Sequence, residues 1–128
     1  MKIVTNMPYS IYHRIHKLEI LTGIEYSLLK IILEDNKDEI INKLISDIST
    51  FKIYVCEESR EKINKFIEYY ALENIFDKVE TNTSYFYMNT KKINDILSYE
   101  QIENVLSFLY DYIDASVINT ILRQLNLI

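Results

Sequence analysis

The apolar positions of this chain recur at two periods, and the places where the period changes mark its elements. Ile11, Ile15 and Leu18 fall at helical spacing, with Tyr12 and Leu21 broadening the face, after a start marked by Asn6 and Pro8. Proline suits a first helical turn because the amide it lacks would be unpaired there anyway. Gly23, the one glycine, stands where a left-handed residue would end this helix. Residues 24–33 predict a second, very apolar helix on Ile24, Leu28, Ile31 and Ile32, interrupted by the charged run from Glu34 to Glu39. Asp35 or Asn36 then caps a third helix with the stripe Ile40, Ile41, Leu44, Ile45 and Ile48.

From Ser49 the period shortens. Phe51, Ile53 and Val55 alternate with Lys52, Tyr54 and Cys56, the pattern of a half-buried strand. Ser59 is placed to cap a fourth helix on Ile63, Phe66, Ile67 and Tyr70, ending near Asn74. Alternation returns over 78–88, with Val79, Thr81, Thr83, Tyr85 and Tyr87 on one side, residue types that suit a half-exposed pleated surface. The sequence leaves open whether this stretch is one strand or a hairpin, and Ile3-Val4-Thr5 reads as a further short strand. Thr90 opens a short helix carrying Ile93, Ile96 and Leu97. Ser98 and Gln101 have the spacing of a capping box, followed by Ile102, Val105, Leu106, Leu109 and Ile113 on a helix over 99–113. Asp114 caps a last helix through Val117, Ile118, Ile121, Leu122 and Leu125.

The pattern predicts a helix-rich α+β fold, with about six helices around a small two- or three-stranded sheet, in one compact domain over 1–128. The strand–helix–strand unit over 51–88 would be a right-handed crossover if its strands were parallel neighbours. A chain of 128 residues buries enough surface for an ordinary core without a staple. Its 48% hydrophobic and 26% charged residues are a globular balance. No apolar run approaches the roughly 18 residues of a membrane span. The first residues lack the apolar stretch of a secretory signal, and the single cysteine, Cys56, fits a reducing compartment. The expected location is the cytoplasm, away from any membrane.

Composition tempers one signal. Ile, Asn, Lys and Tyr dominate while Gly and Pro appear once each, a skew that an A/T-rich genome produces by itself, so the 11 tyrosines count for less as a binding surface. The net charge is −5, with the local positive excess confined to residues 1–33. Tyr9, Tyr12, His13, Arg14, His16 and Lys17 interleave aromatic and positive groups, but two firm cations are too few to hold a phosphate backbone, so nucleic acid is not an expected partner.

One glycine leaves no phosphate-cradling loop, no dinucleotide fingerprint and no nucleophile elbow. One cysteine and two histidines cannot supply a four-ligand zinc site, and no cofactor is expected. His13 and His16 share a helix face that Glu19 continues, which makes them metal-ligand candidates, or a general base oriented by Glu19, against the plainer reading of a polar surface helix. Cys56 precedes Glu57 and Glu58, whose charge opposes the thiolate a nucleophile needs. The clusters Asp35, Asp38, Glu39 and Glu57, Glu58, Glu61 sit at helix starts, where negative charge complements the helix dipole.

The most informative feature is a gap. Between Lys92 and Arg123 there is no Lys or Arg, while Asp95, Glu100, Glu103, Asp111 and Asp114 all occur. On a helix over 99–113, Glu100, Glu103, Ser107 and Asp111 lie opposite the apolar stripe, with Tyr99, Tyr110 and Tyr112 near the margins. This predicts a non-enzymatic protein-binding module of the inhibitor, antitoxin, immunity or phage anti-defence kind, occluding a partner with a basic surface through Glu100, Glu103, Asp111, Asp114 and Tyr110. The many apolar helices also make a homodimer an expectation. Two alternatives stand beside it. One is a small-ligand, nucleotide-like binder with a pocket between sheet and helices lined by Tyr54, Tyr85 and Tyr87. The other is a motif-poor enzyme using His13 or His16.

Overall fold

The computed structural model describes residues 11–54, 57–69 and 85–128, and among them the two periods resolve into seven α-helices and one antiparallel strand pair. The expectations for Ile3-Val4-Thr5, Pro8, Val55, Cys56, Asn74 and the 78–84 stretch, with its hairpin question, fall outside the described residues.

Helix α1 (Ile11–Thr22) turns Leu18 inward and ends as its sequence predicts. Gly23 adopts φ +72° and its amide donates to Glu19 O at 2.8 Å. The Thr22 hydroxyl donates to Leu18 O at 2.8 Å and accepts from Ile24 N at 3.2 Å, closing the turn. Helices α2 (Tyr26–Asp35) and α3 (Lys37–Asp47) are separated by Asn36 alone. Asn36 stands at the cap position of α3, but its side chain does not cap it. Its Nδ2 donates to Ile32 O at 2.9 Å, the same carbonyl its own amide reaches at 3.1 Å. The charged run therefore separates the two helices by a single residue.

The apolar face of α2 is too wide for one line of contact, and one line of it is fully buried. That line is Leu29 and Leu33, with the expected Ile24 and Ile32 half-buried against the core and the expected Leu28 and Ile31 exposed. On α3 the predicted stripe holds, with Ile40, Ile41, Leu44 and Ile45 buried.

Strand β1 (Thr50–Tyr54) pairs antiparallel with β2 (Tyr85–Asn89), so these two strands are not joined by a parallel crossover. The register sets Phe51 opposite Met88, Lys52 opposite Tyr87 and Tyr54 opposite Tyr85. Phe51, Ile53 and Met88 enter the core, and alternation sends Lys52, Tyr54, Tyr85 and Tyr87 to the other face. Helix α4 (Glu57–Tyr69) starts ahead of Ser59, which lies inside its first turn instead of capping it, and buries Ile63 and Ile67.

Asn89, not Thr90, caps α5 (Thr90–Asn94): its Oδ1 accepts from the amides of Lys91 and Lys92 at 3.0 and 3.2 Å. The buried Thr90 hydroxyl instead donates to Ile48 O at 3.1 Å, fastening α5 to the end of α3. Helix α6 (Tyr99–Leu109) opens on the predicted capping box, with Ser98 Oγ accepting from Gln101 N at 3.2 Å and Gln101 Oε1 accepting from Ser98 N at 2.9 Å. It stops short of the predicted Ile113. A 3-10 turn over Tyr110–Tyr112 follows, and Ile113 forms an antiparallel bridge with Ile53. The Asp114 amide donates to Lys52 O at 3.0 Å. Asp114 precedes α7 (Ala115–Gln124), but its side chain makes no capping bond. Beyond α7, Asn126 takes φ +57° and Leu127 N donates to Leu122 O at 2.8 Å, a Schellman-type ending.

The buried apolar side chains of every helix and both strands join in one cluster, with α1 packed on α7 and α3 against both α6 and α7. Among the described residues no helix is long and apolar enough to cross a membrane.

Candidate functional site

The outer face of α6 carries the charge pattern that the sequence predicts. Glu100 is exposed in its first turn, Glu103 half-buried one turn on, and Asp111 exposed on the 3-10 turn that follows. Tyr99 and Phe108 are 50% and 44% exposed beside them. Ion pairs between described residues are Lys17–Asp114 and Lys43–Asp47, and neither includes Glu100, Glu103 or Asp111. The Tyr99 hydroxyl donates to Asn42 Oδ1, which ties this face to α3.

Two residues expected as contacts on that face lie inside the protein, as does Tyr112 from its margin. Tyr110 is 5% exposed, and its hydroxyl donates to Leu33 O at 2.7 Å. The Lys37 ammonium stands 5.3 Å from the Tyr110 ring centroid. Burial raises the pKa of this phenol above the ordinary tyrosine value, with the Arg14 charge working the other way. Asp114 is 7% exposed, its carboxylate 3.8 Å from Lys17 Nζ, with Oδ1 making no hydrogen bond. The cause is common to both. The helical phase that sorts residues 99–109 into inner and outer no longer applies once the backbone tightens to 3-10 and then extends along β1.

Tyr54, Tyr85 and Tyr87 do come together. Tyr54 and Tyr85 meet edge-on with centroids 6.3 Å apart, Tyr85 and Tyr87 at 5.7 Å, and Lys52 Nζ lies 4.6 Å from the Tyr85 centroid. They share the face of the sheet opposite to Phe51, Ile53 and Met88, which enter the core. Burial, followed by the charge of Asp114 and a hydrogen bond to it, pushes the Tyr54 phenol up to about 12.

Tyr12, His13 and His16 are exposed on α1, with the Tyr12 and His16 rings parallel at 6.3 Å. No group of three His, Cys, Asp or Glu suited to hold a metal occurs among the described residues. Arg14, grouped with this face by its sequence neighbours, points the opposite way and is 2% exposed. Its Nε donates to Ile113 O at 3.1 Å and its Nη2 to Tyr110 O at 3.4 Å. The basic–aromatic patch thereby loses one of its two firm cations.

Arg14 belongs instead to a feature that sequence reasoning missed. A cleft of about 320 Å³ opens between α1, α2, the start of α3 and the 3-10 turn. Leu18, Leu29 and Leu33 give it apolar walls, and Arg14, Lys30 and Lys37 give it positive ones. Tyr26, Glu34 and Asp111 also reach it. The available signal was helical spacing: Arg14 stands one turn before Leu18 on the inward stripe, a cation at a core position. No family model, no curated protein and no solved structure matches this chain.

Proposed function

We propose that this chain is a non-enzymatic protein-binding module of the cytoplasm, acting in the manner of an inhibitor, antitoxin, immunity or phage anti-defence protein by covering a basic surface on its partner. The contact surface is the outer face of α6 with the adjoining 3-10 turn. One observation carries the reading: Glu100 and Glu103 on α6 and the exposed Asp111 on the turn that follows all stand outside the ion pairs between described residues, and Tyr99 and Phe108 of α6 are part-exposed. Clustered charge steers encounter with an opposite surface, and aromatic rings supply contact area at low cost in side-chain entropy. Tyr110 and Asp114, being buried, support this surface from behind and are not contacts. Leu28 and Ile31, exposed on one side of α2, favour self-association as a separate property.

The test is affinity purification from the native host with the wild-type chain and with a variant carrying Glu100→Lys, Glu103→Lys and Asp111→Lys, read by quantitative mass spectrometry. A protein held by the wild type, released by moderate salt and lost by the variant supports the reading, and its isolated affinity should fall as ionic strength rises. Equal retention by both chains, or an affinity indifferent to salt, sinks it. Sedimentation of Leu28→Asp beside the wild type reports on self-association.

A further inference from the structure

We propose that the cleft between α1, α2 and the 3-10 turn binds a small amphipathic monoanion, a singly charged head group on an apolar body. This site lies apart from Glu100 and Glu103 on α6 but shares Asp111 with the proposed contact surface, so its test uses variants that leave Asp111 in place. Its volume of about 320 Å³ lies at the lower end of the range in which proteins hold small molecules. Leu18, Leu29 and Leu33 are buried residues that present aliphatic wall to the cleft, so an apolar body gains there what it loses on leaving water.

The charges decide the head group. Arg14 is held rigidly by its bonds to the carbonyls of Ile113 and Tyr110, and a guanidinium keeps its charge at any physiological pH. It sits in a wall with little water, where its field acts with less screening than at the surface. Lys30 and Lys37 bring two ammonium groups on long stems, and neither forms an ion pair with a described residue. Lys37 rests over the Tyr110 ring, a weak contact compared with an ion pair, so its ammonium can turn to an anion. Glu34 and Asp111 reach the same cleft and offset two of the three positive charges. The balance left is a single positive charge, which fits a monoanion and disfavours cations and multiply charged phosphates alike.

The probe is 8-anilinonaphthalene-1-sulfonate, a fluorescent amphipathic monoanion, competed with octanoate and separately with octanol. One saturable site per chain is expected, displaced by octanoate and left in place by octanol at equal concentration. Lys30→Gln and Lys37→Gln should each weaken probe binding about threefold to tenfold, the range expected for losing one part-screened charge. Glu68→Lys, exposed on α4 and outside the cleft, should leave it unchanged. Far-ultraviolet circular dichroism of each variant checks that the fold is kept. Three results would overturn the proposal: no saturable site in the folded protein, displacement by octanol as effective as by octanoate, or wild-type affinity in the Lys30→Gln, Lys37→Gln double variant.

Discussion

Removing one oxygen, in Tyr110→Phe, tests how the 3-10 turn is held to α2. The hydroxyl donates to Leu33 O at 2.7 Å from a residue that is 5% exposed, and Leu33 is itself buried. A buried hydrogen bond contributes about 0.5–1.5 kcal/mol net, and stranding its carbonyl partner without water adds about 1 kcal/mol. The ring keeps its packing and its contact with Lys37, so the cost should be about 1.5–2.5 kcal/mol. For a chain of this length that corresponds to a fall in Tm of about 5–9 °C. Thermal unfolding followed by circular dichroism measures it, with denaturant titration to confirm that the slope is unchanged. Tyr99→Phe is the internal control. It removes the same atom, but from a residue 50% exposed whose partner, Asn42, lies on the surface, so water takes over the bond. Its cost should stay within about 0.5 kcal/mol. If Tyr110→Phe melts together with the wild type, or Tyr99→Phe costs as much, the reasoning that burial makes this bond matter is refuted.

Other expectations follow from single features. Ser98→Ala removes the oxygen that accepts from Gln101 N and should cost about 1 kcal/mol, read as a shift in the urea midpoint. A Cβ at Gly23 would meet nothing within 4 Å, so Gly23→Ala should carry only the torsional cost of φ +72°, about 1 kcal/mol, and Gly23→Asn less than that. Leu44→Ala, at a fully buried α3 position, should cost about 2–5 kcal/mol. Alkaline stability has a definite sign. Unfolded phenols lose their protons near 10, whereas Tyr54 holds its proton to about 12 and Tyr110 higher still. The folded chain therefore binds more protons between those values. The stabilisation is complete below pH 10 and is lost as pH rises through the folded pKa values. Denaturant midpoints across this interval should fall, and fall less steeply in a Tyr54→Phe, Tyr110→Phe double variant.

What was legible in the sequence is what local chemistry settles. The Ser98–Gln101 box, the turn at Gly23, the α3 stripe and the alternation of Phe51 and Ile53 each have a cause within a few residues, and each stands in the structure. The misses come from choices that a single element cannot make. The apolar face of α2 is too wide for one line of contact, running through Leu28, Leu29, Ile31, Ile32 and Leu33, so its neighbours decide that Leu29 goes inward and Leu28 outward. Beyond Leu109 stand Tyr110, Asp111, Tyr112 and Ile113, all middling to poor helix formers, and Ile113 is drawn into pairing with Ile53, a long-range bridge that accompanies the burial of Tyr110 and Asp114. The acidic side of α6 was readable because it precedes that break. The cleft was not, since it is assembled from α1, α2 and the turn before α7, three segments that nothing in the linear order brings together.

The guanidinium of Arg14 finds its acceptors 96 and 99 positions further along the chain. Helix α1 is thus completed by residues that leave the ribosome long after it does. Until they arrive, an inward-facing cation on α1 has water as its natural environment and opposes docking of that helix. Final closure of the fold is consequently a late, cooperative event, and shortened chains lacking the 110–113 turn should hold α1 undocked while α2 and α3 can already pack.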